Sequence, residues 1–356
     1  MIVNGLDLGK LVDLPQVRQY PATVPGRVCH VDGDFLAYQC SYEKPEEPKE
    51  FDDMKHNVKT IVETLIKMAG ASTALIHLTP KESDKGGRYK IALLSEYQAN
   101  RKDRTNTPRF LHVLREWMHN ELGAVLHYDK EADDGMSIAQ QAAIDSGQRN
   151  LSIIATKDKD LNMVPGLHVN WSTGEIVDVD GFGWIDIEEK TSISPATGKH
   201  TTSKKLVGFG TAFFWAQVLM GDKVDNISGL PMVPPKVLNA IDPTQAILKA
   251  QEKLAKDPTH APSLKVLADR TAKEIGPVML MKLLGHVRDD KTAFEVCRAL
   301  YKEYDEWAPK FMHWDRENGI RYVPWQDAFI SEMKLLWMRR YNKQDDVLDW
   351  LGQVMA

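Results

Sequence analysis

The stretch Arg27-Val-Cys-His-Val-Asp-Gly-Asp34 decides the fold. A short apolar run, rich in β-branched residues, ends in two carboxylates around a glycine. That pattern reads as a buried strand carrying acids to the edge of a sheet. Three further runs of the same kind follow, Thr73–Thr79, Ala124–Tyr128 and Leu151–Thr156. Helix-sized segments lie between them. Residues 53–69 place Val58, Ile61, Leu65 and Met68 on one stripe. Thr107-Pro108 signals a helix start, followed by Phe110, Leu111, Leu114, Trp117, Met118 and Leu122, with Gly123 behind. Residues 131–146 form another helix that stops at Gly147. Apolar strands alternating with helices predict an α/β fold with a mostly parallel central sheet, helices on both faces.

Working outward, residues 1–26 read as an N-terminal extension ending in a turn at Pro25-Gly26. The α/β domain is expected over 27–205. Beyond about residue 206 no strand is expected. Thr211–Met220 is a strongly apolar helix, and from Pro234 the chain reads as helices with polar breaks. Residues 206–356 are therefore expected to form a helical C-terminal region. Ser192–Lys205 is polar and turn-rich and reads as a loop.

The 356 residues suffice for a catalytic domain and a smaller one, and a hydrophobic content of 43% supports a packed core. A net charge of −5 excludes a generic nucleic-acid coat, but fits a local acid cluster with a basic patch elsewhere. Cys29, Cys40 and Cys297 show no zinc spacing, so a reduced, cytoplasmic protein is expected. No run has the length of a membrane span, and the start lacks the pattern of a signal peptide. Nothing in the sequence fixes an oligomeric state.

Ligands of an open parallel sheet bind outside the carboxyl ends of its strands. Asp32 and Asp34 follow the first strand and Asp84 the second. Glu131, Asp133 and Asp134 follow the third, Asp158 and Asp160 the fourth, and Asp222 and Asp225 follow the apolar helix. Each set has a plainer explanation when taken alone. Acids are favoured at a helix start such as Glu131-Ala-Asp-Asp134, and Asp158 could simply cap a helix. Five segments converging on one edge need more, because crowded carboxylates repel. Oxygen-only ligands favour Mg²⁺ or Mn²⁺, and two such ions can drive phosphodiester cleavage.

Between residues 85 and 109 lie Lys85, Arg88, Lys90, Arg101, Lys102, Arg104 and Arg109, against only Glu96 and Asp103. This segment suits phosphate contacts. Tyr97 stands one helical turn before Arg101, where its ring could stack on a base. A solvated helix face is the plainer alternative.

Asp32-Gly-Asp, Tyr97-Gln-Ala-Asn-Arg101, Glu131-Ala-Asp-Asp134, Thr156-Lys-Asp-Lys-Asp-Leu161 and Gly221-Asp-Lys-Val-Asp-Asn-Ile227 occur in the order seen in 5′-nucleases. The chain thus resembles the flap-endonuclease superfamily, with its PIN-like fold. Within it, the likeness runs to bacteriophage 5′→3′ exonucleases and the 5′-nuclease domain of bacterial DNA polymerase I, over roughly residues 27–235. The resemblance implies a Mg²⁺-dependent enzyme with two or more ions, for which Mn²⁺ is an expected substitute. It would act on DNA 5′ ends, flaps and branches, with RNA–DNA hybrid as a second candidate substrate. A phage role in replication, recombination or primer removal would place it in the host-cell cytoplasm. It implies one metal group of Asp32, Asp84, Glu131, Asp133 and Asp134, and a second of Asp158, Asp160 and Asp222 with Asp225 close by. Residues 85–110 would form a helical arch, with Arg101, Tyr97 and Lys90 at the reacting phosphate and Arg88, Lys102, Arg104 and Arg109 on the DNA.

Two departures stand out. The family usually has lysine after the tyrosine, and here it is Gln98, so either Arg101, Lys90 or Lys102 supplies that charge or the rate is reduced. The family's helix-hairpin-helix-like duplex clamp, expected at about 221–285, carries its glycine-rich turn as Gly229-Leu-Pro-Met-Val-Pro-Pro-Lys236. Residues 237–273 then read as an insertion, with Lys236, Gly276 and Lys282 on DNA and Gly276-Pro277 opening a phosphate-binding helix. Two alternatives remain. One is a haloacid-dehalogenase-like phosphatase, which Asp32-Gly-Asp34 also resembles, with Asp32 as nucleophile. The other is a non-catalytic DNA-binding protein.

Overall fold

The computed structural model describes residues 2–3, 6–7, 19–44, 46–101, 107–193, 198, 200–241, 273–307, 311–315 and 319–356. Lys102, Arg104, most of the proposed 1–26 extension and residues 242–272 of the proposed insertion lie outside them.

A six-stranded sheet organises the chain. Its strands are β1 (Val28–Asp32), β2 (Thr73–Leu78), β3 (Val125–Leu126), β4 (Ser152–Thr156), β5 (Gly166–Asn170) and β6 (Ile176–Val179), in the order β3-β2-β1-β4-β5-β6. Every pairing is parallel except β5 with β6. The order reverses between β1 and β4. At such a switch point the loops leave in opposite directions and open a crevice. The sheet fits the α/β, PIN-like expectation.

The intervening helices are α1 (Gly33–Ser41), α2 (Phe51–Ala69), α3 (Leu111–Leu122) and α4 (Ala132–Asp145). Only α1 is absent from the sequence reading. It starts directly on β1, with Asp32 as its N-cap accepting from Phe35 N–H, so no spacer announces it. The strands alternate as the pleat requires. Cys29, Val31, Ile76, Leu78, Ile153 and Ala155 pack on one face, with α1, α2 and α3. Ile154 joins the opposite core, with Met136 of α4.

His30, His77 and His127 form a hydrogen-bonded row. His30 Nδ1 lies 3.0 Å from His77 Nε2, and His77 Nδ1 lies 2.9 Å from His127 Nε2. The row seats α4 closely. A Cβ on Gly135 would stand 2.3 Å from His127 Nε2, so only glycine fits there.

After the sheet come α5 (Thr211–Met220), α6 (Pro235–Ile241), α7 (Pro277–Leu284), α8 (Asp290–Trp307), α9 (Trp325–Leu336) and α10 (Asp346–Met355). The core on the α4 face continues from Ile154 and Met136 through Phe214 to Trp337 and Val347, so sheet and C-terminal helices share one interior. Val233 and Lys273 are bridged, so the two flanks of the proposed insertion lie side by side.

Two expectations about strands are corrected. The supposed loop 192–205 is largely a ribbon of β7 (Trp184–Ile193) and β8 (His200–Phe209), which carries strand past residue 206. A second hairpin, β9 (Met312–Asp315) with β10 (Gly319–Tyr322), lies within the helical region. The β7–β8 ribbon is polar and exposed over most of its length, so no buried face leaves a hydrophobic period to read. Among the described residues, no helix is long and apolar enough to cross a membrane, and Cys29, Cys40 and Cys297 are free and buried.

Burial lowers the His30 pKa to about 4 and the His77 pKa to about 2. Both rings are neutral when folded and bind protons on unfolding below the ordinary histidine pKa of about 6.5. Stability is therefore complete above that pKa and falls as pH drops toward 4. Each ring accounts for about 1.4 kcal/mol lost by pH 5.5. Thermal melts between pH 7.5 and 5 check this, and a flat profile would refute it.

Candidate metal and nucleic-acid site

The switch point between β1 and β4 is where the acids gather. Asp32 ends β1. Its Oδ1 accepts from Phe35 N–H and its Oδ2 from the Thr156 hydroxyl of β4, each at 2.9 Å. Burial, helped by Asp34 and Asp158, pushes its pKa up to about 7. Asp133, in the first turn of α4, is raised well above the carboxylate range by burial and then by Asp32, Asp158, Glu131 and Asp34. Asp158 is raised by burial and by Asp225 and Asp222. Asp160 is raised by burial, Asp158 and Asp222, and Gln217 of α5 donates to it. Asp222 is buried, accepting from Lys159 Nζ at 2.8 Å and Val224 N–H at 2.6 Å.

Asp32 and Asp133 from the first expected group, and Asp160, Asp222 and Asp225 from the second, thus all lie within electrostatic reach of Asp158. The donors are all oxygen, which suits a hard divalent cation. As the side chains stand, no three His, Cys, Asp or Glu residues among the described ones converge on one coordinating point. The chain's own donors, Thr156, Lys159 and Gln217, hold Asp32, Asp222 and Asp160.

Asp222 is presented by a tight loop. Gly221 and Gly229 both have positive φ, and a Cβ on Gly229 would sit 2.3 Å from Gly221 N. Only glycine permits that approach. Glu332 of α9, buried, accepts from Gly229 N–H at 2.7 Å and anchors the loop from beneath.

Several expected residues stand elsewhere. Asp134 is fully buried and committed to Arg88, at 2.8 and 3.0 Å, and to Arg339 N–H at 3.1 Å. Burial opposes its charge, but Arg88 outweighs that and holds its pKa below the usual range. It is a structural ion-pair partner as placed. Asp84 is exposed and caps a turn through Gly86 N–H at 2.8 Å. Glu131 accepts from Arg88 Nη1 and the Tyr97 hydroxyl, both at 2.8 Å, and lines the rim of the acid cluster.

The basic segment changes most. Arg88, expected on DNA, is 2% exposed and pairs with Glu131 and Asp134. Tyr97, expected to stack on a base, is also 2% exposed, and its hydroxyl donates to Glu131 and Asp225. The exposed ring beside it is Tyr89, edge-on at 5.6 Å. Arg101 is held by Asp225, and Lys90 is exposed on the single helical turn Arg88–Ile91. Gln98 reaches Glu131 at 3.4 Å and Asp225 at 3.2 Å, and accepts from Lys85 Nζ at 2.5 Å. Among the described residues, Lys85 is thus a cation in direct contact with Gln98, and Arg101 shares the Asp225 Oδ1 acceptor with Gln98.

Arg109 lies against Glu43, at 3.5 Å, and over the ring of Phe110. Lys236 pairs with Glu303 at 2.6 Å. Gly276 is the N-cap of α7, while Lys282 is in its last turn, so the two occupy opposite ends of that helix. The sequence reading passed over Thr156, Lys159, Gln217 and Glu332 as parts of the site, and placed Asp34 at the sheet edge without a metal role. Arg115, which binds Asp34 and the Thr79 carbonyl, was also missed. Thr156 and Lys159 were recoverable, since both lie inside Thr156-Lys-Asp-Lys-Asp160. Glu332 had no local signal.

No protein-family model matches the chain. It is 33% identical over 162 residues to the DNA polymerase I of Pseudomonas aeruginosa, a match covering 43% of this chain and 15% of that protein's length. Among solved structures it is similar to the bacteriophage T5 flap endonuclease in a pseudo-enzyme-product complex with DNA and metal ions. That match has 14% identity and a TM-score of 0.40, over 77% of this chain and 88% of the other. It is also similar to the catalytic core of Rad2 in complex with DNA substrate, with 13% identity and a TM-score of 0.29 over 92% of each chain. The chain spans about a seventh of the length of the curated relative it matches.

The ion pair beneath the site is testable. Removing one partner of a buried pair leaves the other uncompensated and costs about 3–5 kcal/mol. Arg88→Ala is expected to show that loss in urea denaturation. A variant of wild-type stability with weakened DNA binding would restore Arg88 to the surface.

Proposed function

We propose that this chain is a divalent-metal-dependent 5′→3′ nuclease that hydrolyses DNA phosphodiester bonds from 5′ ends and cuts flaps and branches. One observation carries the proposal: Asp32, Asp133, Asp158, Asp160 and Asp222, from four segments, crowd at the switch point of the sheet within electrostatic reach of one another. Such crowding needs positive compensation, and these five residues would hold Mg²⁺, or Mn²⁺ in its place. Bound there, such an ion makes water a nucleophile at neutral pH and stabilises charge on phosphate oxygens.

The rest of the mechanism concerns this chain's own residues. Thr156 and Phe35 N–H fix both oxygens of Asp32. Lys159 neutralises Asp222 and must release it when an ion is bound. Lys85, partly exposed at the Glu131 rim, is placed to meet a phosphate oxygen where Gln98 brings no charge. Tyr89 offers the exposed ring for a terminal base, and Arg101 steadies Asp225.

Asp32 also bears on the phosphatase alternative. With both oxygens hydrogen-bonded and its carboxylate buried, it is a poor in-line nucleophile. A non-catalytic DNA-binding role gives no reason to maintain such repulsion. A role in phage DNA replication, recombination or primer removal, and any action on RNA–DNA hybrid, belong to the same proposal.

Purified protein with Mg²⁺ and 5′- or 3′-labelled duplex, flap and hybrid substrates tests it. Release of short products from 5′ ends is expected, abolished by chelation. Asp158→Ala should lose at least a hundredfold in cleavage rate, about 2.7 kcal/mol, while keeping the fold and DNA binding. Lys85→Ala is expected to slow cleavage about tenfold, and full activity of either variant counts against the assignment. Hydrolysis of a small phosphomonoester with no action on DNA would favour the phosphatase.

A further inference from the structure

The carboxylate centre opens on one side into a groove of about 760 Å³ that the mechanism above leaves unused. Lys159 and Asp222 are among its lining residues. Lys204 and Lys205, in the part of β8 nearer the body, line its wall with Lys223 and the N-terminus of α7 at Gly276.

Charge and shape identify its occupant. Lys159 is already paired with Asp222 at 2.8 Å. With Lys204 paired to Glu189, Lys205 and Lys223 face Glu274, so the open part of the groove keeps a positive balance. All three lysines are exposed, and Lys204 is braced by Glu189 of β7 at 2.9 Å. No aromatic ring is among the described residues lining it. A single strand is usually held by stacking its bases on such rings. A groove with lysines and backbone N–H groups but no ring suits a phosphate backbone whose bases are already paired.

We propose that Lys204, Lys205 and Lys223 form a phosphate track for the duplex that adjoins the carboxylate centre, with the β7–β8 ribbon as its outer wall. The track rests on the nuclease reading and adds to it the element that holds paired DNA while an end is cut. It gives a role to the outer, exposed part of the ribbon, whereas the inner part at Ile185 and Leu206 is held by the core.

Fluorescence anisotropy of the full chain with labelled duplex and single-stranded DNA, in EDTA and over a salt series, tests the track. Lys204→Glu/Lys205→Glu should bind duplex roughly tenfold more weakly, with a log–log salt slope shallower by about 2. Lys204→Gln/Lys205→Gln should give a smaller loss in the same direction with an unchanged melting temperature. Lys190→Glu, on the same ribbon but away from the groove, should bind as wild type. Unchanged duplex affinity and slope in both double variants, while the wild type cleaves DNA, overturns the track alone. So does an equal loss on single strands, or an equal loss in Lys190→Glu. A wild type that neither binds nor cleaves DNA overturns the track and the nuclease reading together.

Discussion

Mutual repulsion among buried carboxylates is the constraint around which this molecule is built. Asp32 and Asp158 lie at the ends of the two strands where the sheet order reverses, and Asp133 enters from α4. Bringing like charges together under burial disfavours every ionised form at once. Much of the surrounding structure answers that cost. Thr156 and the start of α1 hold Asp32, Lys159 holds Asp222, and Gln217 holds Asp160. A second layer, Glu332 on Gly229 and the row of histidines under α4, fixes the backbone that presents the acids.

Beside this unstable centre stands a fully compensated one. Arg88, Asp134 and Glu131 form a buried ion network closed by the Trp337 carbonyl and Arg339 N–H. Adjacent residues of one motif therefore serve opposite ends. Asp133 remains unpaired in the cluster, while Asp134 is spent on structure. Successive residues of a helix point about 100° apart, which is enough to divide a pair of acids between a site and a core.

That division marks the limit of what the sequence could tell. Strand–acid units were legible because buried parallel strands are short apolar runs and their loops bear ligands. The strands at Val28, Thr73, Val125 and Ser152 all appear close to where periodicity puts them. Side-chain direction was not legible. Arg88 and Tyr97 look like surface groups from spacing alone, yet their burial depends on Trp337 and on Asp225, far along the chain. The same holds for Lys85, whose place beside Gln98 follows from a left-handed turn at positions 85 to 87. The β7–β8 ribbon was illegible for another reason, because it buries almost nothing and so leaves no hydrophobic period.

The hydrogen bond from Arg339 to Asp134 spans 205 residues of sequence. During synthesis at roughly 5–20 residues per second, the acid waits about 10–40 s for its last partner to leave the ribosome. Until then the helix carrying Asp133 has an exposed buried-type carboxylate at its base and lacks its final seat. The base of the acid cluster is thus among the last parts of the fold to be completed, since Asp134 gains its full set of partners only when the segment carrying Arg339 folds back.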